Sequence, residues 1–488
     1  MPALPRPRTR FGLAFLCASA AGWAATPVEA LAQSRPPSPP TAARPPAPTT
    51  VVRSAGYDPP GTDAALPAAT ELSADALVEQ ILERNPTLTQ MEATAAAAAA
   101  RYPQAISLDD PMFAATFGPG TIAPDDPGVE FGSRLEFSQK YPWPGKRRLR
   151  GENAAAEARA AGQDVEDMRL QLAQTARDAF ADYYLAGRGL DVNKKNLDLL
   201  EGVQSNQESL FKTGKIPEQD LLLTKVEIGR QRERILTLER MLQVARARIN
   251  TLLHLPPDAP LPPPPEQLPA GGPLPDEAAL RAAALAQRPD LKALAEHVAA
   301  EQAQLALAYK EYYPDLEPSV MYDRFMGNTS NVRDLALMVG VRINVPLRLS
   351  KRDAAVQEAM ARVNARLAEL NRLTDDVNFA VAQAYAEVGE SGETVELYEK
   401  HLLPDAELNV KTLETRYTTA STAFINLLDA ERSLIELRDR YYEITADAFR
   451  RRAALERAVG GPLDPAAAET LPGAPCGSAS GPVLRPAH

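Results

Sequence analysis

Histidines, cysteines and paired carboxylates are the side chains through which this chain could do chemistry, and their spacing argues against catalysis. The four histidines, His254, His297, His401 and His488, have no His or Cys neighbour at ligand spacing, so no zinc site is legible. The carboxylate pairs Asp109-Asp110 and Asp125-Asp126 sit in turn sequence and read as solvated loop charge, not as a general acid and its base. There is no phosphate-cradling Gly-Lys-Ser/Thr loop and no dinucleotide glycine loop. Lys and Arg number 53 against 64 Asp and Glu, a net charge of −11, which argues against nucleic-acid binding. The residues imply a non-enzyme with no cofactor and no bound metal. Any work done by charge here must depend on where long elements place it.

Two stretches of alternating side chains are the most informative of those elements. Odd positions of Val129–Tyr141 read Val, Phe, Ser, Leu, Phe, Gln, Tyr, while the even ones hold Glu130, Arg134, Glu136 and Lys140. Odd positions of Leu335–Leu347 are apolar throughout, with Arg342 and Asn344 among the even ones. Period-2 alternation places one set on each face of a strand. About ten such residues, tilted, cross a bilayer. Shorter partners are expected at Met112–Gly118 and Pro318–Met326.

The N-terminus reads as a secretory signal over residues 1–32. Arg6, Arg8 and Arg10 precede an apolar stretch, and Ala30-Leu31-Ala32 fits a small-x-small cleavage site. Cys17 lies in the apolar stretch, but Leu16 before it argues against lipid attachment. Once the signal is removed, Cys476 has no partner for an intrachain disulfide. No segment has 18 consecutive apolar residues, so no membrane-spanning helix is expected.

Pro-rich sequence divides the chain. Residues 35–49 contain seven prolines within a disordered leader over 33–70, and 256–275 contain ten in a linker. A first repeat covers 71–255, with strands about 112–118 and 129–141 and a hairpin tip about 213–220. A second covers 276–461, with strands about 318–326 and 335–347 and a tip about 418–426. Residues 462–488 form a disordered tail. Asn85-Pro86 corresponds to Arg288-Pro289, Tyr102-Pro103 to Tyr313-Pro314, Tyr141-Pro142 to Val345-Pro346 and Phe211 to Tyr417, at offsets of 203 to 211 residues. Such constancy argues for internal duplication.

Each repeat carries a long helix with sustained heptads. The first runs from Leu172 through Ala176, Ala179, Tyr183, Leu190 and Asn193 to Phe211, and the second from Val356 to Leu402. A persistent 3.5-residue period demands a coiled-coil seam. Pro404 should kink the second helix. The first turns at Thr213-Gly214-Lys215-Ile216-Pro217, with Gly214 as C-cap, and the second around Thr419–Thr422.

Four strands cannot close a barrel, and open edges are not tolerated in lipid. Three chains would pool twelve strands and place six pseudo-equivalent hairpin units around the same axis. The expected fold is mainly α with a small β part: long coiled-coil hairpins forming an α-barrel, plus four strands per chain contributing to a trimeric 12-stranded β-barrel. A periplasmic coiled-coil adaptor and a structural coiled-coil protein are the competing architectures.

This arrangement resembles the TolC family of outer-membrane efflux proteins over most of residues 72–460. The family's helical turns carry an aromatic, a Gly three residues on and an acidic residue on the return helix. The first turn has Phe211, Gly214 and Asp220. The second has Tyr417, Ala420 in place of Gly, Asn426 in place of an acid, and Asp429. The phrase Tyr141-Pro142-Trp143-Pro144-Gly145-Lys146 is similar to the strand-to-helix corner of the metal-exporting CusC/CzcC-like branch, and Tyr141 and Trp143 there fit membrane-interface anchors. The resemblance implies a homotrimeric channel in the Gram-negative outer membrane with a periplasmic helical extension. It implies contact with outer-membrane lipid, a periplasmic adaptor of the membrane-fusion class and an inner-membrane pump of RND type. Heavy-metal cations or drugs are the implied cargo. It further implies a periplasmic gate in which Asp429, and less directly Asp220, narrow the pore.

Overall fold

The computed structural model describes residues 71–118, 129–214, 216–269, 271–327, 336–418 and 424–463. The signal sequence with Cys17, the leader, the second tip turn at 419–423, and the tail from 464 with Cys476 lie outside the described residues. The first repeat runs α1 (Ala74–Arg84), α2 (Pro86–Ala99), α3 (Arg101–Ile106), β1 (Met112–Gly118), β2 (Val129–Ser138), α4 (Lys146–Lys212) and α5 (Glu218–Leu252). The second runs α6 (Glu277–Gln287), α7 (Pro289–Lys310), β3 (Leu316–Gly327), β4 (Ala336–Ile343), α8 (Leu349–Leu397), α9 (Leu403–Thr418) and α10 (Phe424–Val459).

The duplication is visible in its fastenings. Pro86 and Pro289 each open a helix, where a missing N–H costs nothing. The Asn85 side chain caps α2 by accepting from the Thr87 N–H and donates to the Leu252 carbonyl at the end of α5 (2.9 Å). Arg288 takes the same place in the second repeat and donates to the Ala458 carbonyl at the end of α10 (3.0 Å). Orphan carbonyls at both return-helix ends are thereby satisfied. Two matching cores follow: Leu77, Ile81, Phe180 and Ile249 between α1, α4 and α5, and Leu280, Val377, Val381 and Leu455 between α6, α8 and α10. Each such side chain contributes about 1.5–3 kcal/mol on full burial.

The 67 residues of α4 extend roughly 100 Å. Its seam is buried at Leu172, Ala176, Ala179, Tyr183, Leu190, Asn193 and Gln207, as the heptads require. The second seam is buried at Val356, Val363, Val377 and Val381, while Met360 and Leu367 remain exposed on the single chain.

Pro404 follows a widened turn of the helix. The chain passes from α8 to α9 through one π turn, Tyr398–Leu402, with helical dihedrals on both sides. The Leu403 N–H reaches back five residues to the Tyr398 carbonyl. Widening the ladder one turn before proline accommodates the missing donor and the ring's clash with residue 400.

The proline-rich segment 256–275 is a strap laid on α4 rather than a free linker. The Tyr183 hydroxyl donates to the Pro262 carbonyl (2.9 Å), Arg188 Nε to Pro265 (3.0 Å), and the Leu72 N–H to Pro263 (3.1 Å). Arg452 Nη1 on α10 donates to Gly272 (2.8 Å), so the strap also ties the two hairpins together.

The strands form one antiparallel sheet in the order β1-β2-β3-β4. β2 stops at Ser138, with Tyr141 making only an isolated bridge to Leu316, and β4 stops at Ile343 rather than Leu347. Pro346 explains the end of β4, since it cannot donate to the ladder. Beyond Ser138 the Gln139 and Tyr141 N–H groups still donate to the Pro318 and Leu316 carbonyls. Among the described residues no helix is long and apolar enough to cross a membrane.

Candidate functional site

The register gives the sheet two unlike faces. Phe113 and Phe117 on β1, Leu135 and Phe137 on β2, Val320 and Tyr322 on β3, and Leu337, Val339 and Val341 on β4 share one side. That side is open; Val339 is 77% exposed. The opposite side carries an ion-pair ladder. Arg134 grips Asp323 with two hydrogen bonds of 2.8 Å, and Arg342 reaches Glu317 (3.1 Å) and Glu136 (3.3 Å). The Ser138 hydroxyl donates to Glu317 (3.0 Å). Apolar on one face and charged on the other is the alternation of a barrel wall between hydrocarbon and water. Among the described residues β1 and β4 each have a partner on one side only.

The corner between β2 and α4 is fastened. Gly145 takes φ +93°, a conformation L side chains rarely adopt, and turns the chain into the helix. Lys146 is 1% exposed and reaches Asp315 Oδ1 (2.8 Å), the Tyr313 carbonyl (3.3 Å) and Glu311 (3.5 Å). The Trp143 N–H donates to the same Asp315 oxygen (2.9 Å), and its ring stacks on Tyr313 at 5.3 Å. Burial pushes the Asp315 carboxyl up, but Lys146 and the Trp143 N–H outweigh it and hold it below the usual range. Trp143 therefore sits within this corner, while Tyr141 is exposed beside it.

The two hairpin tips bring several sequence-predicted residues together. Gly214 (φ +70°) closes the first turn, its N–H donating to the Phe211 carbonyl (2.9 Å), and the Phe211 ring is partly exposed. Asp220 lies in the first turn of α5, where the helix dipole favours a carboxylate, and burial pushes its carboxyl up. Tyr417, at the end of α9, packs on Phe424 at 5.5 Å. It also lies beside Asp220 and Gln207 of the other hairpin, and burial and the Asp220 charge push its hydroxyl up. Asn426 and Asp429 are both exposed on α10, and Asp429 pairs with Arg432 at 3.5 Å.

Sequence reasoning missed the polar groups that bind helices within and between the hairpins. Arg432 Nε on α10 donates to Glu227 on α5 (2.8 Å). Thr224, fully buried, donates to Gln207 (2.7 Å). Higher up, Gln231 Nε2 donates to Asn193 Oδ1 (2.7 Å), and Asn193 Nδ2 donates to Asp439 (3.0 Å). Glu431 carries a carboxyl pushed up by burial and by Glu414 across the second hairpin. The available signal was a polar residue at a seam position, as at Asn193 and Gln207. Among the described residues no group of three His, Cys, Asp or Glu side chains could hold a metal ion.

Residues 280–461 match the outer membrane efflux protein family. The solved outer-membrane channel OprN superposes with a TM-score of 0.69 at 23% identity, covering 80% of this chain and 90% of that one. CusC, described for conformational changes accompanying folding and transmembrane channel formation, gives 0.67 at 17% identity, covering 80% and 92%. The outer membrane protein VceC from Vibrio cholerae gives 0.67 at 20% identity, covering 80% and 97%. No curated protein matches the sequence.

Proposed function

We propose that this chain, whose second repeat is an outer membrane efflux protein domain and whose fold is that of the TolC family, is the outer-membrane channel of a tripartite efflux system. The two-faced, open-edged sheet at the end of a roughly 100 Å coiled coil carries the reading. Three copies pair β4 of one with β1 of the next and close a twelve-stranded barrel, with the apolar side on lipid and the ion-pair ladder on water. The exposed seam residues Met360 and Leu367 support the same assembly, because a heptad stripe left bare on one chain fits a neighbouring copy. The helices form a periplasmic conduit that receives cargo from an adaptor and an RND-type inner-membrane pump. Conduction is passive. OprN, CusC and VceC resemble the chain comparably, so the Tyr141–Lys146 corner is what supports heavy-metal cations over drugs as cargo.

Membrane extraction in mild detergent tests the reading. The mature chain should partition with the outer membrane, scatter light as a trimer and conduct ions in planar bilayers. A soluble periplasmic monomer would overturn it in favour of a coiled-coil adaptor.

A further inference from the structure

The two strand-to-helix corners have diverged. In the first, Trp143 and Lys146 are tied to Asp315 and Tyr313. The matching corner after β4 is open. Val345, Leu347 and Leu349 are 65%, 83% and 55% exposed. They continue the odd-numbered apolar strip of Leu337, Val339, Val341 and Ile343 past the last ladder bond. The strip ends in basic residues. Arg348 and Lys351 are exposed and make no ion pair among the described residues, while Arg352 Nε is held by the Glu311 carbonyl (2.7 Å). The nearest carboxylate in sequence, Asp353, accepts from the Tyr312 hydroxyl. Exposed Tyr309 and Tyr313 lie just before β3 and mark the same end of the sheet. Apolar side chains leading to unpaired cations, at the level of an aromatic belt, match the boundary between acyl chains and anionic headgroups.

We propose that residues 345–351 form a foot seated in the leaflet facing the helices, with Val345 and Leu347 among acyl chains and Arg348 and Lys351 on the phosphate of an anionic phospholipid. Charge complementarity selects this occupant: an exposed apolar strip ending in two exposed cations with no ion pair among the described residues matches acyl chains capped by an anionic headgroup. The proposal rests on the channel reading and deepens it.

The test uses purified trimer, with lipid retention read by native mass spectrometry. Phosphatidylglycerol should be retained at least about tenfold over phosphatidylcholine. Arg348→Gln and Lys351→Gln should each lower that retention about fivefold while leaving the trimer intact. In vesicles containing brominated lipid, the added fluorescence of Leu347→Trp should be quenched. Equal retention of the two lipids, displacement by millimolar inorganic phosphate, or an unquenched Trp covered by a neighbouring copy would each overturn the foot. A trimer in the membrane with no lipid preference refutes the foot alone, whereas a chain that never reaches the membrane refutes the channel reading.

Discussion

Lys146 shows how much a single residue holds at the junction of sheet and helix. A buried ammonium persists only with its partners, and here Asp315, Glu311 and the Tyr313 carbonyl supply them. Lys146→Ala should destabilise the protein by about 3 kcal/mol, measured by denaturation of the detergent-solubilised trimer. The sign with pH follows from Asp315, whose carboxyl lies below its ordinary value. Its contribution is present above the usual carboxylate range and is lost as pH falls through the depressed value. The gap between wild type and Lys146→Ala should therefore narrow below about pH 4. The sequence marks Lys146 as the start of a helix but not as an ion-pair partner, because Asp315 is 169 residues away. At the tip, Asp429 keeps the exposed position that three converging carboxylates need, yet shares Arg432 with Glu227. Asp429→Ala should weaken cation preference in planar bilayers and raise resting conductance, with trimer formation intact. If Asp220→Ala alters both while Asp429→Ala alters neither, the constriction lies on the first hairpin.

At the scale of elements, periodicity made strands, seams and turns legible, while long-range polar contacts were not. β1 spans the Met112–Gly118 expected of a shorter partner strand, and period 2 placed Val339 and Arg342 on opposite faces. It overran β4 because alternation in sequence continues past Pro346, where the ladder cannot. Val339→Arg should cost about 2–4 kcal/mol of barrel stability, whereas Arg342→Ala, a partly exposed ion pair, should cost less than about 1. Equal tolerance by urea unfolding in micelles would mean the faces are reversed. Heptads located the seams but could not distinguish Asn193 and Gln207 as buried cross-helix partners from surface polar residues. On the second hairpin, burial first and the Glu414 charge second push the Glu431 carboxyl up. Because the Glu431 carboxyl is raised, its protonation stabilises the hairpin below the usual carboxylate value, and that stability is lost as pH rises through the raised one. Glu431→Gln should raise stability at pH 7 by about 1 kcal/mol and flatten the dependence between pH 7 and 4.5, as read by thermal melts.

At the scale of the molecule, the two repeats are alike in their fastenings and unlike in what they expose. Asn85 and Arg288 secure equivalent return helices, which is why a nearly constant offset of 203 residues was readable. The strap over α4 was not readable as a brace, since proline composition specifies an extended chain and not what it lies against. Two sheet edges unpaired among the described residues allow two modes of association. A ring must end, whereas a head-to-tail array of edges that fails to close continues as a filament. Cysteines at Ala114 on β1 and Met338 on β4, both on the ladder face, test which occurs, in a background with Cys476→Ser. Adjacent strands lie about 4.8 Å apart, so a bifunctional thiol reagent of about 10 Å reaches from one chain's β4 to the next chain's β1 even if the register is offset by a residue or two. Within one chain the two positions are separated by β2 and β3, beyond that reach. Denaturing gels should show covalent dimers and trimers and stop there. A ladder extending past the trimer would mean the edges join without closing, and uncrosslinked chains would mean that β1 and β4 are not neighbours.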